Sequence, residues 1–261
     1  MLEKINLKQK MSKADYKAQL PGLRNRLYEL QKQVRRTGVP VVIIFEGWKA
    51  AGKDLAIRSL TRRLDPRSHK LHAITPERTY ETKYPWLWRF WMKLPSYGEM
   101  AIYHKSWYRR VLVDRVEKQI AKADWRRAYR DIVDFERTIA DDGGVVIKFW
   151  FHISRKQQRQ RFKQCQKDPL RAWQITPDDW QQHEKYDHYL VATEEMLERT
   201  DTEWGPWVIV PATDDRFAQV RVFKTIIAAL EQRLGQIVEA APEAASSAPE
   251  TVAEVVEDEH V

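Results

Sequence analysis

Two glycines and a lysine in the segment Gly47–Asp54 have the spacing of a phosphate-binding loop. The segment reads GWKAAGKD and contains the pattern G-x-x-x-x-G-K. Glycines let the backbone wrap closely around phosphate oxygens, so that exposed amides and the start of the next helix face the anion. Lys53 adds a positive charge against the terminal phosphates. The pattern predicts phosphate binding by Gly47, Lys49, Ala50, Ala51, Gly52 and Lys53.

Asp54 follows this lysine, at the place where phosphate loops usually carry a serine or threonine that binds magnesium. A carboxylate can hold Mg²⁺ directly or through water, so Asp54 is a candidate metal ligand. An acid in the first turn of a helix is also favoured by the helix dipole. A purely structural role is therefore the alternative for Asp54.

A phosphate loop needs a strand before it and a helix after it, and the sequence predicts both. Val39–Phe45 reads VPVVIIF, a short apolar run typical of a strand buried on both faces of a parallel sheet. Lys53–Leu64 has a helical pattern. Val145–His152 is a second strongly apolar run of the same kind. Weaker strands are predicted at His69–Ile74, Glu99–Tyr103 and Trp207–Val210.

Helical patterns alternate with these strands along the chain. They cover Tyr16–Arg36, Trp86–Met92, Ser106–Ala121, Trp125–Ala140, Arg155–Gln166, a segment opening at Thr176, and Asp214–Leu234. Alternating strands and helices predict an α/β fold in which helices cover both faces of a parallel sheet.

Charge is distributed unevenly over the 261 residues. Residues 239–261 contain seven acids and no lysine or arginine. The whole chain has a formal net charge of +8, so residues 1–238 alone carry +15 (8 + 7). We predict a flexible basic arm at 1–14, a folded domain at 15–237 and a disordered acidic tail at 238–261. The basic domain suggests a polyanionic partner, which could be nucleic acid, an anionic membrane surface or an inorganic polyanion.

Other features exclude several classes of protein. No apolar run approaches the roughly 18 residues of a membrane helix. Met1–Lys13 is charged and has no apolar segment of a secretory signal. Cys165 is the single cysteine, which excludes an internal disulfide and a zinc site built from cysteines. We therefore expect a cytoplasmic protein.

Several motifs in the same order resemble the polyphosphate kinase 2 family over roughly residues 15–235. The first is FEGWKAAGKDLAIRSLTRRLDPR, which contains the loop. The others are LWRFWMKLP, SWYRRVLVDRV, VDFERTIADDGGVVIKFWFHIS, QRQRFKQCQKDPLRAW, ITPDDW and WVIVPATDDRFAQVRV. The resemblance implies a three-layer P-loop kinase-like fold with a helical lid, supplied by Trp125–Ala140 and neighbouring helices. It also implies phosphoryl transfer between inorganic polyphosphate and nucleoside mono- or diphosphates, with Mg²⁺, by a homodimer or homotetramer.

The chain departs from this family at two acidic positions. The family loop usually reads G-x-D-x-x-G-K, and Lys49 stands at the place of the acid. The family's Walker B-like motif usually reads D-R-S-W-Y, and this chain has His104 and Lys105 in place of its first two residues. Two carboxylates expected to organise magnesium and the acceptor are thus replaced, while the pocket gains positive charge.

Other family positions are retained and complete the predicted site. By resemblance, Lys53, Asp54, Arg110 and Asp114 are the candidate catalytic residues. Asp54 and Asp114 are the candidate metal ligands. Lys105, Arg110, Lys148 and Arg171 join the loop as candidate phosphate-binding residues.

Four functions are compatible with these patterns. The first is a polyphosphate:nucleotide phosphotransferase. The second is a regulatory protein of the same fold that binds polyphosphate or nucleotide without turnover. An ATP-dependent nucleoside kinase is the third. A nucleic-acid binder is the fourth, which charge alone suggests and for which the sequence has no recognition module.

Overall fold

A parallel five-stranded sheet forms the centre of the molecule. The computed structural model describes residues 2–246, with side chains for residues 2–237. The strands are β1 (Val41–Gly47), β2 (His69–Ala73), β3 (Met100–His104), β4 (Val145–His152) and β5 (Trp207–Pro211). Their order is β2-β3-β1-β4-β5, and every neighbouring pair is parallel. The predicted α/β class with a parallel sheet is confirmed.

Helices cover both faces of this sheet. They are α1 (Lys13–Thr37), α2 (Lys53–Thr61), α3 (Trp88–Trp91), α4 (Val113–Val116), α5 (Lys122–Asp141), α6 (Arg155–Lys167), α7 (Pro177–Glu184), α8 (Tyr186–Thr200) and α9 (Asp215–Ser246). Short 3₁₀ helices lie at Leu2–Lys4, Pro66–Ser68, Glu81–Lys83, Trp107–Arg110 and Ala172–Gln174. α1 packs on α9, which contacts α2, β4 and β5, whereas α5 contacts β4 and α8. No helix of the described residues is long and apolar enough to cross a membrane.

The central strands are buried because helices lie against both of their faces. Residues 41–46 of β1 are all buried, as are residues 146–152 of β4. The two strands pair from Val41 with Val145 to Gly47 with Phe151. Apolar, β-branched and aromatic side chains on consecutive positions suit such a doubly covered strand. This rigid pair carries the loop that follows β1.

The segment Ser106–Ala121 is not the continuous helix that its pattern predicts. It forms the 3₁₀ helix Trp107–Arg110 and then the four-residue α4. Trp107 and Tyr108 are both fully buried and donate hydrogen bonds to the carboxylate of Glu136, at 2.9 and 2.7 Å. Two adjacent bulky side chains are thus held by one buried acceptor, and the backbone turns more tightly there than in an α-helix.

Both ends of the folded part differ from the predicted boundaries. Leu2 is buried in the core, and its backbone amide donates to Glu194 at 2.7 Å, so the predicted arm at 1–14 is docked at its start. α9 continues to Ser246, beyond the predicted beginning of the acidic tail at 238. Residues 247–261 of that tail lie outside the described residues.

Candidate active site

The predicted phosphate loop lies at the carboxyl edge of the sheet, where β1 and β3 end side by side. Phe45 of β1 pairs with His104, the last residue of β3. The loop therefore faces the Walker B-like residues across a cavity of about 180 Å³. Side chains from α4, α6, α7 and α8 complete its walls. Ligands of open parallel sheets bind at this edge.

The two loop glycines adopt conformations that other residues rarely take. Gly47 has φ 131°, and a Cβ atom there would lie 2.4 Å from the carbonyl oxygen of Phe151. Gly52 has φ 92° and would bring a Cβ atom 2.9 Å from Asp215 Oδ1. The loop can therefore pass this close to β4 only with glycine at position 47.

Backbone amides of the loop remain available for an anion. Among the described residues, the amides of Lys49, Ala50, Gly52 and Lys53 donate to no acceptor. The carbonyls are engaged: Lys49 O accepts from Gln158 Nε2 at 3.3 Å, and Ala50 O accepts from Arg161 Nη1 at 2.9 Å. A loop that binds its carbonyls to neighbouring side chains and leaves its amides free is suited to phosphate.

Trp48 anchors the start of the loop. Its indole Nε1–H donates to His152 Nδ1 at 3.0 Å, and its ring stacks on Tyr186 with centroids 4.0 Å apart. Burial lowers the pKa of His152 to about 4, so its imidazole stays neutral and can accept this bond near neutral pH.

Lys53 is buried at the base of the loop. Its Nζ atom donates to the carbonyl oxygens of Gly47 and Trp48, at 2.7 and 2.8 Å. Burial, reinforced by the nearby charge of Lys105, lowers the pKa of Lys53 to about 8. The predicted lysine is thus at the predicted place, with its charge held inside the loop.

Lys49 and His104 are each paired with a carboxylate. Lys49 Nζ lies 3.2 Å from Asp179 Oδ2, across the cavity on α7. His104 Nε2 lies 3.0 Å from Asp54 Oδ1, in the first turn of α2. The hydrogen bond from His104 lowers the pKa of Asp54 to about 2.

Sequence reasoning missed several residues that line the cavity. Glu46 is buried next to the loop and accepts a hydrogen bond from Ser106 Oγ at 2.8 Å, and burial raises its pKa. An acid at the end of an otherwise apolar strand was a signal for it. Arg109, Asp179 and Gln182 gave no local signal, because tertiary packing alone brings them to the cavity.

Three predicted residues lie outside the cavity walls. Arg110 places its guanidinium 5.5 Å from the ring centre of Trp86. Asp114 lies 3.0 Å from Arg109 Nε, and burial raises its pKa. Arg171 is exposed in the connection between α6 and α7. The structure therefore groups Lys53, Lys105 and His104 but does not bring Arg110, Asp114 or Arg171 to the same cavity.

The prediction that Lys148 binds phosphate does not agree with its surroundings. Lys148 is fully buried in the middle of β4, and its Nζ atom donates to Glu136 at 2.8 Å, to Thr200 O at 2.6 Å and to Tyr108 at 3.1 Å. All three of its donors are engaged, so its charge serves a buried ion pair. Burial lowers its pKa, and Glu136 opposes that change.

The helices next to the loop are not those predicted as the lid. α5 packs its apolar face on β4 and α8 and contributes no side chain to the cavity wall. Gln158 from α6 and Asp179 and Gln182 from α7 line the cavity instead. α6 and α7 are therefore placed to cover a ligand on the loop.

The described residues do not form a site that holds magnesium by protein ligands alone. Magnesium prefers octahedral oxygen coordination and usually keeps waters and substrate phosphates among its ligands. Each carboxylate of the cavity has one oxygen engaged: Glu46 by Ser106, Asp54 by His104 and Asp179 by Lys49. Over residues 2–237, no three His, Cys, Asp or Glu side chains come together as a metal site. The predicted pair Asp54 and Asp114 is also occupied, by His104 and Arg109.

Comparison with known proteins identifies relatives of this chain. The family model described as "Polyphosphate kinase 2 (PPK2)" matches residues 10–237. A polyphosphate:AMP phosphotransferase of Pseudomonas aeruginosa is 42% identical over 231 residues, which cover 88% of this chain and 47% of the relative. The chain thus spans about half the length of that relative.

Two further relatives match at lower identity. "NDP-polyphosphate phosphotransferase 3" of Ruegeria pomeroyi is 30% identical over 85% of this chain and 73% of its own length. The crystal structure of polyphosphate kinase 2 from Arthrobacter aurescens superposes with a TM-score of 0.85 at 27% identity, covering 89% of this chain and 85% of that one.

Proposed function

Because the chain belongs to the polyphosphate kinase 2 family, we propose that it transfers phosphoryl groups between inorganic polyphosphate and nucleoside mono- or diphosphates. AMP is the acceptor to test first, since the relative at 42% identity is a polyphosphate:AMP phosphotransferase. Nucleoside diphosphates come next, because a relative at 30% identity is an NDP-polyphosphate phosphotransferase.

The observation that carries this proposal is the phosphate loop itself. It combines four free amides with the buried Lys53 at the carboxyl edge of the sheet. Lys49, Lys105 and Arg109 add positive charge to the same cavity. Phosphoryl transfer depends mainly on positioning the groups and on neutralising the transferring phosphoryl. In the proposed reaction the loop amides orient the phosphate chain, and these side chains offset its charge.

Three expectations remain predictions. The resemblance implies a homodimer or homotetramer and the use of Mg²⁺, and the sequence suggests a cytoplasmic location. In this structure Asp54 is paired with His104, and Asp179 with Lys49. We therefore assign no step of the transfer to a metal ion.

Incubation of the protein with polyphosphate and each nucleotide, followed by anion-exchange chromatography, tests the proposal. We expect AMP to be converted to ADP by the wild type and not by Lys53→Met, which keeps an apolar stem of similar length without the charge. Arg36→Met is a matched control, because that arginine is exposed on α1 and does not line the cavity. If no nucleotide gains or loses a phosphate with the wild-type protein, the proposal is wrong.

A second candidate is binding of polyphosphate or nucleotide without transfer. It is favoured by the pairs Lys49–Asp179 and His104–Asp54, because carboxylates held in these pairs are less available to take part in phosphoryl transfer. Transfer that appears only in the double variant Lys49→Asp/His104→Asp would favour this candidate over the enzyme.

A further inference from the structure

The cavity beside the phosphate loop is lined by several nitrogen donors. Lys49, Lys53, Lys105 and Arg109 line it, and His104 closes the end of β3. We propose that this site binds a phosphate chain without a divalent cation, and that Lys49 and His104 make the contacts that a metal ion would otherwise provide. The inference rests on the proposed function for the identity of the ligand.

Lys49 can exchange its present partner for a phosphate. Its side chain is 38% exposed and extends from the loop to Asp179. Asp179 Oδ2 also accepts from Thr176 N at 2.9 Å and from Thr176 Oγ1 at 3.1 Å, as part of the capping box of α7. The carboxylate therefore keeps two hydrogen bonds when Lys49 leaves it. A phosphate group carries more negative charge than a carboxylate, so it can replace Asp179 as the partner of the Lys49 ammonium. The capping box of α7 stays intact in this exchange.

His104 is in the same situation on the other side of the loop. Its partner Asp54 has a side chain that is 80% exposed, so water can solvate this carboxylate once the pair opens. His104 Nε2 is then free to donate to a phosphate oxygen. Both pairs thus join a cavity donor to an acid that stays stabilised without it, by Thr176 for Asp179 and by water for Asp54. The acids hold the two donors in place until an anion arrives.

Lys105 is fixed toward the same space. Its backbone has φ 62°, and its amide donates to Phe45 O at 3.1 Å, which ties it to the end of β1. Lys105, the residue that follows β3, thereby lines the cavity beside the loop. Arg109 also lines the cavity and adds positive charge, while its Nε atom lies 3.0 Å from Asp114 Oδ1 and its Nη2 atom donates to Gln119 at 3.0 Å.

A magnesium ion in a phosphate site neutralises charge and bridges phosphate oxygens. Ammonium and guanidinium groups also neutralise charge, and they need no free oxygen ligand on the protein. The cavity gathers the free amides of the loop and the side chains of Lys49, Lys53 and Lys105 in one place. These N–H donors suit the anion itself, because they can offset its charge without a metal ion between protein and phosphate.

Calorimetric titration with tripolyphosphate, in a magnesium buffer and in a chelating buffer, tests the inference. Magnesium also binds free tripolyphosphate, so the quantity compared is the ratio of the two dissociation constants in each variant. For the wild type we expect binding in the chelating buffer at least as tight as in magnesium. For Lys49→Asp/His104→Asp we expect binding in the chelating buffer to be weaker by about tenfold or more than in magnesium.

Single variants separate the contribution of Lys49 from general charge. We expect Lys49→Ala to weaken metal-free binding about tenfold, the effect of losing one charge-assisted contact. Arg36→Ala removes one exposed charge of α1, which does not line this cavity, and should change binding by less than about twofold. Thermal melting of each variant checks that it is folded.

Wild-type binding that is lost in the chelating buffer and restored by magnesium overturns the inference but leaves the proposed function intact. Absence of tripolyphosphate binding in both buffers overturns both. An effect of Arg36→Ala equal to that of Lys49→Ala would also overturn the inference, because binding would then depend on overall charge and not on this cavity.

Discussion

The Nε2 atom of His104 lies 3.0 Å from the Oδ1 atom of Asp54, which joins the end of β3 to the first turn of α2. The same hydrogen bond lowers the pKa of Asp54 to about 2, so this carboxylate is ionised at all ordinary pH values. The acid beside the phosphate loop is therefore a permanent negative charge that competes with phosphate for His104.

The variant Asp54→Asn should bind tripolyphosphate more tightly, by roughly two- to tenfold, because the competing charge is gone. Calorimetry with the wild type and the variant in the same buffer measures this. Asp124→Asn, a change at a half-buried acid in the first turn of α5 and away from the cavity, is the matched control. If Asp54→Asn instead binds tripolyphosphate more weakly than the wild type in magnesium, and magnesium no longer changes its affinity, Asp54 is a metal ligand.

The variant Gly47→Ala should lose phosphate binding and destabilise the fold by about 2–4 kcal/mol, because its Cβ atom would lie within 2.8 Å of three backbone atoms of Phe151. Gly22→Ala is the control: it lies inside α1 with no atom within 4 Å, and should stabilise the helix by about 0.5–1 kcal/mol. Urea unfolding of the two variants gives both values. Equal stabilities would contradict the close approach of the loop to β4.

The variant Lys148→Met should destabilise the protein by about 3–5 kcal/mol, because it leaves the fully buried Glu136 carboxylate without its cation. The double variant Lys148→Met/Glu136→Gln should recover part of this loss. Its amide carries no charge and still offers an oxygen to Trp107 and Tyr108. Urea unfolding curves measure both effects. A single variant within about 1 kcal/mol of the wild type would mean that the pair is not buried as described.

Acid should weaken the anchor of the loop at His152. Burial lowers the pKa of this histidine to about 4, whereas the unfolded chain has the ordinary value of about 6.5. Between these pH values the unfolded state binds more protons than the folded state, so stability falls as the pH falls. His152→Gln keeps an acceptor for Trp48 and does not titrate.

We therefore expect the wild type to lose about 2 kcal/mol more than His152→Gln when the pH is lowered from 7 to about 4. Urea unfolding at several pH values, with both proteins in the same buffers, measures the difference. Parallel pH profiles for the two proteins would show that His152 does not have a lowered pKa.

The parts of the molecule that local patterns encode were predictable. β4 has its predicted bounds, because seven of its eight positions are apolar or aromatic and Lys148 is the exception, a pattern that suits a doubly covered strand. The loop was predictable since its glycines and Lys53 are fixed by the backbone path between one strand and one helix. Ser154 caps α6 through a hydroxyl that accepts the amide of Gln157, and a serine directly before a helical pattern is a local signal of this kind.

The rest depends on contacts between distant segments. Gln158 bonds to the loop from 109 residues away in sequence, and Asp179 reaches Lys49 from a separate helix. A charged residue such as Lys148 in a buried strand can indicate either a binding site or a buried ion pair. Only the packing of the folded chain shows that Glu136 is its partner. Neither outcome follows from the period of a helix or a strand.

Phosphorus-31 NMR of the protein with polyphosphate and AMP tests the central claim most directly, because it observes the phosphoryl group in donor and product together. We expect the β-phosphate resonance of ADP to grow while the polyphosphate end groups change in step, and Lys53→Met to abolish both changes. If the spectra of the wild type stay constant with AMP, ADP and GDP, although tripolyphosphate binds in calorimetry, the protein binds phosphate chains without transferring phosphoryl groups. That result would contradict the proposed phosphotransferase activity.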